Sequence, residues 1–171
     1  MKPFILQPHI PDALLTQTDR DWLTNTESLT RRLREFTNNE ITHHLFLNEW
    51  GYANAAAIAA LNIHADTKTW LRRMEWRYEK ETWVTCTVVI PETSIYDNNL
   101  ELLSIGKNSI GDILFQDKTL TRSHFVFTQH ENKTWSRESL FYYKQKPIYL
   151  IETFSTDFFR AIGCASKNIV S

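Results

Sequence analysis

Between Trp70 and Ile90 the chain carries two runs of strand-forming residues, Trp70 to Tyr78 and Thr82 to Ile90, separated by the polar Glu79-Lys80-Glu81. Trp, Tyr, Val and Thr dominate both, and side chains of that shape pack well on a pleated surface. A connection this short joins antiparallel neighbours, so the segment is a hairpin, and the rest of the fold has to be arranged around it. Ser123 to Thr128, Trp135 to Tyr143 and Ile148 to Phe154 read as further strands, with Lys146-Pro147 as the last turn.

Ahead of the hairpin, Leu14, Leu15, Trp22, Leu23, Leu29 and Leu33 recur at helical spacings between Pro11 and about Phe36, interrupted near Asn25. That pattern predicts two helices joined by a short bend. Ile41 to Trp50 alternates poorly but is rich in strand formers. Ala53 to Leu61 reads as a short Ala-rich helix, and Leu100 to Phe115 as two helical pieces broken at Gly106-Lys107-Asn108-Ser109. Helices first, then about six strands on short connections, make the class α+β: a single antiparallel sheet flanked by helices. With only four Gly and five Pro and no repeat or linker, residues 1–171 are expected to form one domain.

A formal charge of -1 provides no overall field for nucleic acid or an anionic membrane, so an anionic ligand must be gripped locally. The N-terminal apolar stretch is short and broken by prolines, which predicts neither a leader nor a membrane span and makes a cytoplasmic location the expectation. Cys86 and Cys164 lack C-x-x-C spacing and are expected to be unpaired thiols. His43-His44, His64, His124 and His130 have no ligand spacing, so no metal site is expected. Arg31-Arg32-x-Arg34 has Glu27, Glu35 and Glu40 nearby and reads as a solvated helix face, not a nucleic-acid surface.

Side-chain parity supplies the functional clue, since residues two apart in a strand share a face. Trp70, Arg72, Met74, Trp76 and Tyr78 put Arg72 on an apolar face; Ile148, Leu150, Glu152 and Phe154 put Glu152 on another. A buried charge costs several kcal/mol unless paired. Either the two pair with each other, or a twist or bulge lets one reach water, or they line a pocket where Arg72 grips a carboxylate and Glu152 accepts from a hydroxyl. Arg137 shares a mostly aromatic face with Trp135, Ser139, Phe141 and Tyr143, where it is either stacked at the sheet edge or a grip for a second carboxylate. Gly106-Lys107-Asn108-Ser109-Ile110-Gly111 lacks Walker spacing; it is either an inter-helix turn or a source of backbone N–H groups for a carboxylate.

Several segments together resemble the chorismate lyase (4-hydroxybenzoate synthase) family. They are D-W-L at 21–23, S-L-T-R-R at 28–32, W-L-R-R at 70–73, W-V-T-C-T-V-V-I-P at 83–91, I-G-K-N-S-I-G-D-I-L-F at 105–115, T-L-T-R at 119–122 and K-P-I-Y-L-I-E-T-F at 146–154. The resemblance implies a pocket enclosed by helical flaps, with Leu29, Arg72, Ile110 and Glu152 as substrate-binding positions and Arg72 and Glu152 as catalytic ones. By the same resemblance Arg72 and an amide near Ile110 hold the ring carboxylate, Glu152 bonds the hydroxyl, and Leu29 closes the pocket. Glu152 would orient the hydroxyl or, if burial raises its pKa, act as a base; Arg137 is the candidate for the enolpyruvyl carboxylate. The implied activity converts chorismate to 4-hydroxybenzoate and pyruvate for ubiquinone biosynthesis, without cofactor or metal, in a monomer that binds no nucleic acid and inserts in no membrane. A non-catalytic effector-binding domain and a lyase giving another hydroxybenzoate isomer are the alternatives. The family's small residue followed by Arg is replaced here by Cys86-Thr87, and the segments Ala53 to Leu61 and Arg160 to Ser171 have no clear counterpart.

Overall fold

The computed structural model describes residues 15–96 and 99–167. The expected helix start at Pro11 to Leu14 and the end of the tail lie outside them. Helix α1 (Gln17–Leu23) opens on a reciprocal cap: Thr16 Oγ1 accepts from the Asp19 amide at 3.2 Å, and the Asp19 carboxylate accepts from the Thr16 amide at 2.8 Å. Helix α2 (Leu29–Phe36) opens on Ser28, whose Oγ accepts from the Arg31 amide at 3.2 Å.

Strand β1 (Thr42–Tyr52) follows, then helix α3 (Ala55–Leu61) and the hairpin of β2 (Lys68–Tyr78) and β3 (Glu81–Pro91). The β1–β2 register shifts between Leu45 and Leu47, leaving Phe46 as a bulge; that is why the sequence there alternates poorly. Short helix α4 (Glu92–Ile95), a 3-10 turn at Leu100–Ser104 and helix α5 (Gly111–Leu114) lead to β4 (Thr121–Arg122), β5 (Val126–Gln129), β6 (Trp135–Tyr143), β7 (Lys146–Phe154) and helix α6 (Thr156–Lys167).

The strands form one seven-stranded antiparallel sheet in the order β1-β2-β3-β7-β6-β4, with β5 also on β6. The α+β class therefore stands, with one strand more than expected. The last turn is displaced: Lys144 and Gln145 take positive φ (47° and 67°) and make the corner, while Lys146 and Pro147 already pair with Tyr143 and Tyr142. Helix α6, which the strand-rich pattern before it did not announce, lays Phe158 and Ile162 onto Trp22, Trp83 and Phe154. Among the described residues no helix is long and apolar enough to cross a membrane.

Two apolar clusters occupy the helix-covered face. One gathers Trp22, Leu33, Trp76, Val84, Trp135, Phe154 and Phe158. The other gathers Val88, Leu102, Ile110, Leu114, Phe141 and Leu150 under the 3-10 turn and α5. Helix α3 covers the opposite face through Ala57 and Leu61 on Val89 and Tyr149. Between the two clusters runs a single cross-strand row, Met74–Cys86–Glu152–Arg137 on β2, β3, β7 and β6. The sheet thus holds Glu152 and Arg137 on a belt with apolar packing on both sides, while the third inward charge, Arg72, stands two residues from Met74 in the neighbouring row opposite Val88.

Candidate active site

Arg72 and Glu152 both point inward, as parity requires, at 0% and 5% exposure. They do not pair with each other. Arg72 Nη1 donates to Asn48 Oδ1 at 2.7 Å, and Asn48 is its register partner on β1. Its Nη2 donates to the carbonyls of Gly106 (3.1 Å) and Asn108 (2.9 Å), so the guanidinium fastens the 106–109 loop to the sheet. Its Nε is buried without a hydrogen-bond partner among the described residues. A buried N–H of that kind is costly, and an anionic oxygen placed beside it would relieve the cost.

Glu152 is held on one oxygen only. Its Oε2 accepts from Arg137 Nε at 2.5 Å and from Arg122 Nη2 at 3.1 Å. Burial alone would push the carboxyl up, but the charges of Arg137 and Arg122 and their hydrogen bonds outweigh it and hold Glu152 below the ordinary carboxylate range. This reverses the expectation that burial raises its pKa: two cations decide the sign. Glu152 is a fixed anion and a weak base. Its Oε1, which accepts no hydrogen bond from the described residues, is left for a ligand.

Arg137 differs from its expected role. It is fully buried, its Nη1 donates to the carbonyls of Leu23 (3.0 Å) and Asn25 (2.7 Å) at and just past the end of α1, its Nη2 is buried without a partner among the described residues, and it does not line the pocket. It ties the α1–α2 bend to the sheet and anchors Glu152 from behind. The guanidinium that does face the pocket is Arg122 on β4, which the parity argument could not reach because β4 is two residues long. Its Nε donates to Ser139 Oγ at 2.9 Å, and its plane lies against Phe125 and Phe141, with Cζ 4.2 and 4.4 Å from their ring centroids. Burial pulls Arg122 down to about 10 against the opposing effect of Glu152, so it stays charged at neutral pH.

Leu29, Ile110 and Glu152 line one pocket together with Met74, Trp76 and Arg122, whereas Arg72 is not among the lining residues and is joined to the loop that precedes Ile110. Leu29 is the first residue of α2 and Ile110 immediately precedes α5, so neither amide has an intrahelical acceptor. The two segments are clasped over the pocket by a buried Thr30–Ser109 hydroxyl pair at 2.8 Å and by Arg34 on Asp112 at 3.1 Å. His43 adds an Nε2 hydrogen bond to the Lys107 carbonyl at 2.9 Å. The free space within is about 30 Å³, room for one or two waters.

A sequence model described as Chorismate lyase matches residues 11–161. The chain belongs to the chorismate lyase family. Within that family it is 34% identical over 168 residues to a Coxiella burnetii protein named "Probable chorismate pyruvate-lyase", covering 90% of this chain and 91% of that one. It is 28% identical over 144 residues to "Chorismate pyruvate-lyase" of Erwinia tasmaniensis, covering 84% and 82%. The chorismate lyase fold seen here also resembles the effector-binding domain of the Bacillus subtilis trehalose repressor (TM-score 0.50, 9% identity, 67% and 90% covered). A GntR-family transcriptional regulator from Bacillus cereus is similar to the same extent (TM-score 0.50, 10% identity, 69% and 93% covered).

Proposed function

We propose that this chain is a chorismate pyruvate-lyase, converting chorismate to 4-hydroxybenzoate and pyruvate, and that the pocket under α2 and α5 is where it does so. The observation that carries the reading is the pairing of an unpartnered Arg72 Nε with a half-free Glu152 carboxylate on one inward face. Arg72 stands two residues along and two strands across from the row that holds Glu152. With a rise of about 3.3 Å per residue and a strand spacing of about 4.8 Å, their backbones are about 12 Å apart. Two inward side chains reduce that gap to roughly the span of one six-membered ring with substituents at opposite ends.

The ring carboxylate takes Arg72 Nε and the Ile110 amide, the ring hydroxyl donates to Glu152 Oε1, and Leu29 covers the ring. The hydrogen on C4 is lost, the C3–O bond breaks and the ring becomes aromatic. Aromatisation supplies the driving force, so the protein's part is to hold one conformer in a dry site of fixed charges. Glu152, kept ionised by two arginines, orients the hydroxyl. By family resemblance the reaction needs no cofactor, is carried out by a cytoplasmic monomer, and yields the ring precursor of ubiquinone.

The test is to incubate chelator-treated protein with chorismate and to follow 4-hydroxybenzoate by chromatography and pyruvate by a coupled assay. Equal amounts of both establish the lyase. Tight 4-hydroxybenzoate binding without turnover would make the chain an effector-binding domain instead, the reading favoured by its likeness to the regulators' ligand domains; 3-hydroxybenzoate in its place would identify a different isomer.

A further inference from the structure

Chorismate carries two carboxylates, and their places on the ring decide which cation can meet each. The ring carboxylate on C1 lies across the ring from the C4 hydroxyl, whereas the enolpyruvyl ether is on C3, next to that hydroxyl. With the hydroxyl at Glu152, the second carboxylate must therefore arrive on the Glu152 side of the pocket, away from Arg72.

Two guanidiniums adjoin Glu152. Arg137 gives Nε to the carboxylate and Nη1 to backbone carbonyls; its Nη2 has no partner among the described residues, but the side chain is fully buried outside the pocket lining and presents no atom to a ligand there. Arg122 lines the pocket, with Nε on Ser139 and Nη2 on Glu152, and its Nη1 donates to none of the described residues. Phe125 and Phe141 fix its plane, so Nη1 is presented without a conformational search.

We infer that Arg122 is the substrate-specificity residue that binds the enolpyruvyl carboxylate, an inference that rests on the chorismate reading above. Its position also suits the bond changes. The C4–H electron pair becomes the new ring double bond, and the C3–O pair becomes the carbonyl of pyruvate. The enol carbon–carbon pair takes up the C4 proton as the methyl group forms. Holding the carboxylate at Arg122 folds the methylene toward C4 and keeps the leaving fragment in place through the step. Because Arg122 and the hydroxyl acceptor Glu152 are joined by a hydrogen bond, the two ligand groups are positioned by one rigid unit.

The product 4-hydroxybenzoate lacks the group assigned to Arg122, and that gives a test which a purely structural role would fail. In Arg122→Met, Glu152 keeps its Arg137 bond, so 4-hydroxybenzoate affinity, read from quenching of the pocket Trp76, should stay within about threefold. The kcat/KM for chorismate should fall on the order of 100-fold. Affinity for 3-(carboxymethoxy)-4-hydroxybenzoate, which restores a carboxylate on the neighbouring carbon, should fall at least about tenfold. Arg122→Lys, which keeps the charge, should recover part of both losses and serves as the readout if the Met variant does not fold. Equal losses for 4-hydroxybenzoate and the dianionic analogue would overturn the inference and make Arg122 only a brace for Glu152. Failure of wild-type protein to release pyruvate would instead sink the lyase reading itself.

Discussion

At the scale of single residues, the two guanidiniums around one carboxylate make Glu152 the most consequential side chain in the molecule. Glu152→Gln leaves Arg137 and Arg122 buried against a neutral amide, and breaking a buried ion pair in this way costs about 3–5 kcal/mol. Denaturant unfolding should show that loss. Turnover of chorismate should fall at least about tenfold, because a charge-assisted hydrogen bond to the hydroxyl is gone. The pH dependence follows from the depressed pKa. In the unfolded chain the carboxyl titrates near the usual value of about 4.3; in the fold it titrates lower. Its stabilisation is thus fully present above the unfolded pKa and is lost as pH falls through the folded one. The acid limb of the stability curve should be shallower in Glu152→Gln than in wild type, and identical limbs would refute the assignment. The neighbouring Cys86 thiol is pushed up by burial first and by Glu152 second, whereas Cys164 is exposed. Cys86 is only partly buried and lines the pocket, so a thiol reagent at pH 8 should label Cys164 quickly and Cys86 much more slowly, its raised pKa leaving little thiolate.

Among the elements, the 106–111 loop joins sheet and flap, and its conformation depends on one glycine. Gly106 has φ +62°, with open space where a Cβ would stand, so a substitution there meets backbone strain without steric clash. Gly106→Ala should cost about 1–2 kcal/mol, or about 2–8 °C in Tm for a chain of this size, and Gly106→Asn distinctly less because Asn tolerates the left-handed region. Equal shifts for the two would mean that the loop relaxes to another conformation. Elements with a clean two-residue period were legible from sequence: β2 and β7 exposed Arg72 and Glu152 because each was a single charge on an apolar face. Arg122 was not legible by that route, since a two-residue strand has no period to violate and only its place in T-L-T-R marked it. Arg137 was misread for a different reason: parity tells which face a side chain takes, but not whether a helix–helix bend has already supplied carbonyls for it. Likewise β1 hid its strand character behind the Phe46 bulge.

For the molecule as a whole, the question is how a ligand reaches a belt of charges sealed between two apolar clusters. A space of about 30 Å³ does not admit a benzene ring, so entry and exit require α2 and α5 to part. The Arg34–Asp112 bridge is the outermost fastening of that seam, its side chains 37% exposed and outside the pocket lining. A half-exposed pair of this kind is worth about 0.2–1 kcal/mol. If the flaps rest clasped both in the free chain and around a bound ligand, the bridge stabilises the two end states equally and is broken only in the transition between them. Asp112→Asn should then raise the association and dissociation rates of 4-hydroxybenzoate together, by about two- to fivefold, with Kd nearly unchanged. Stopped-flow fluorescence of Trp76 in the pocket reads both rates. An increase confined to dissociation, with Kd rising by the same factor, would mean that the free chain rests with its flaps apart and that the clasp forms only around the ligand.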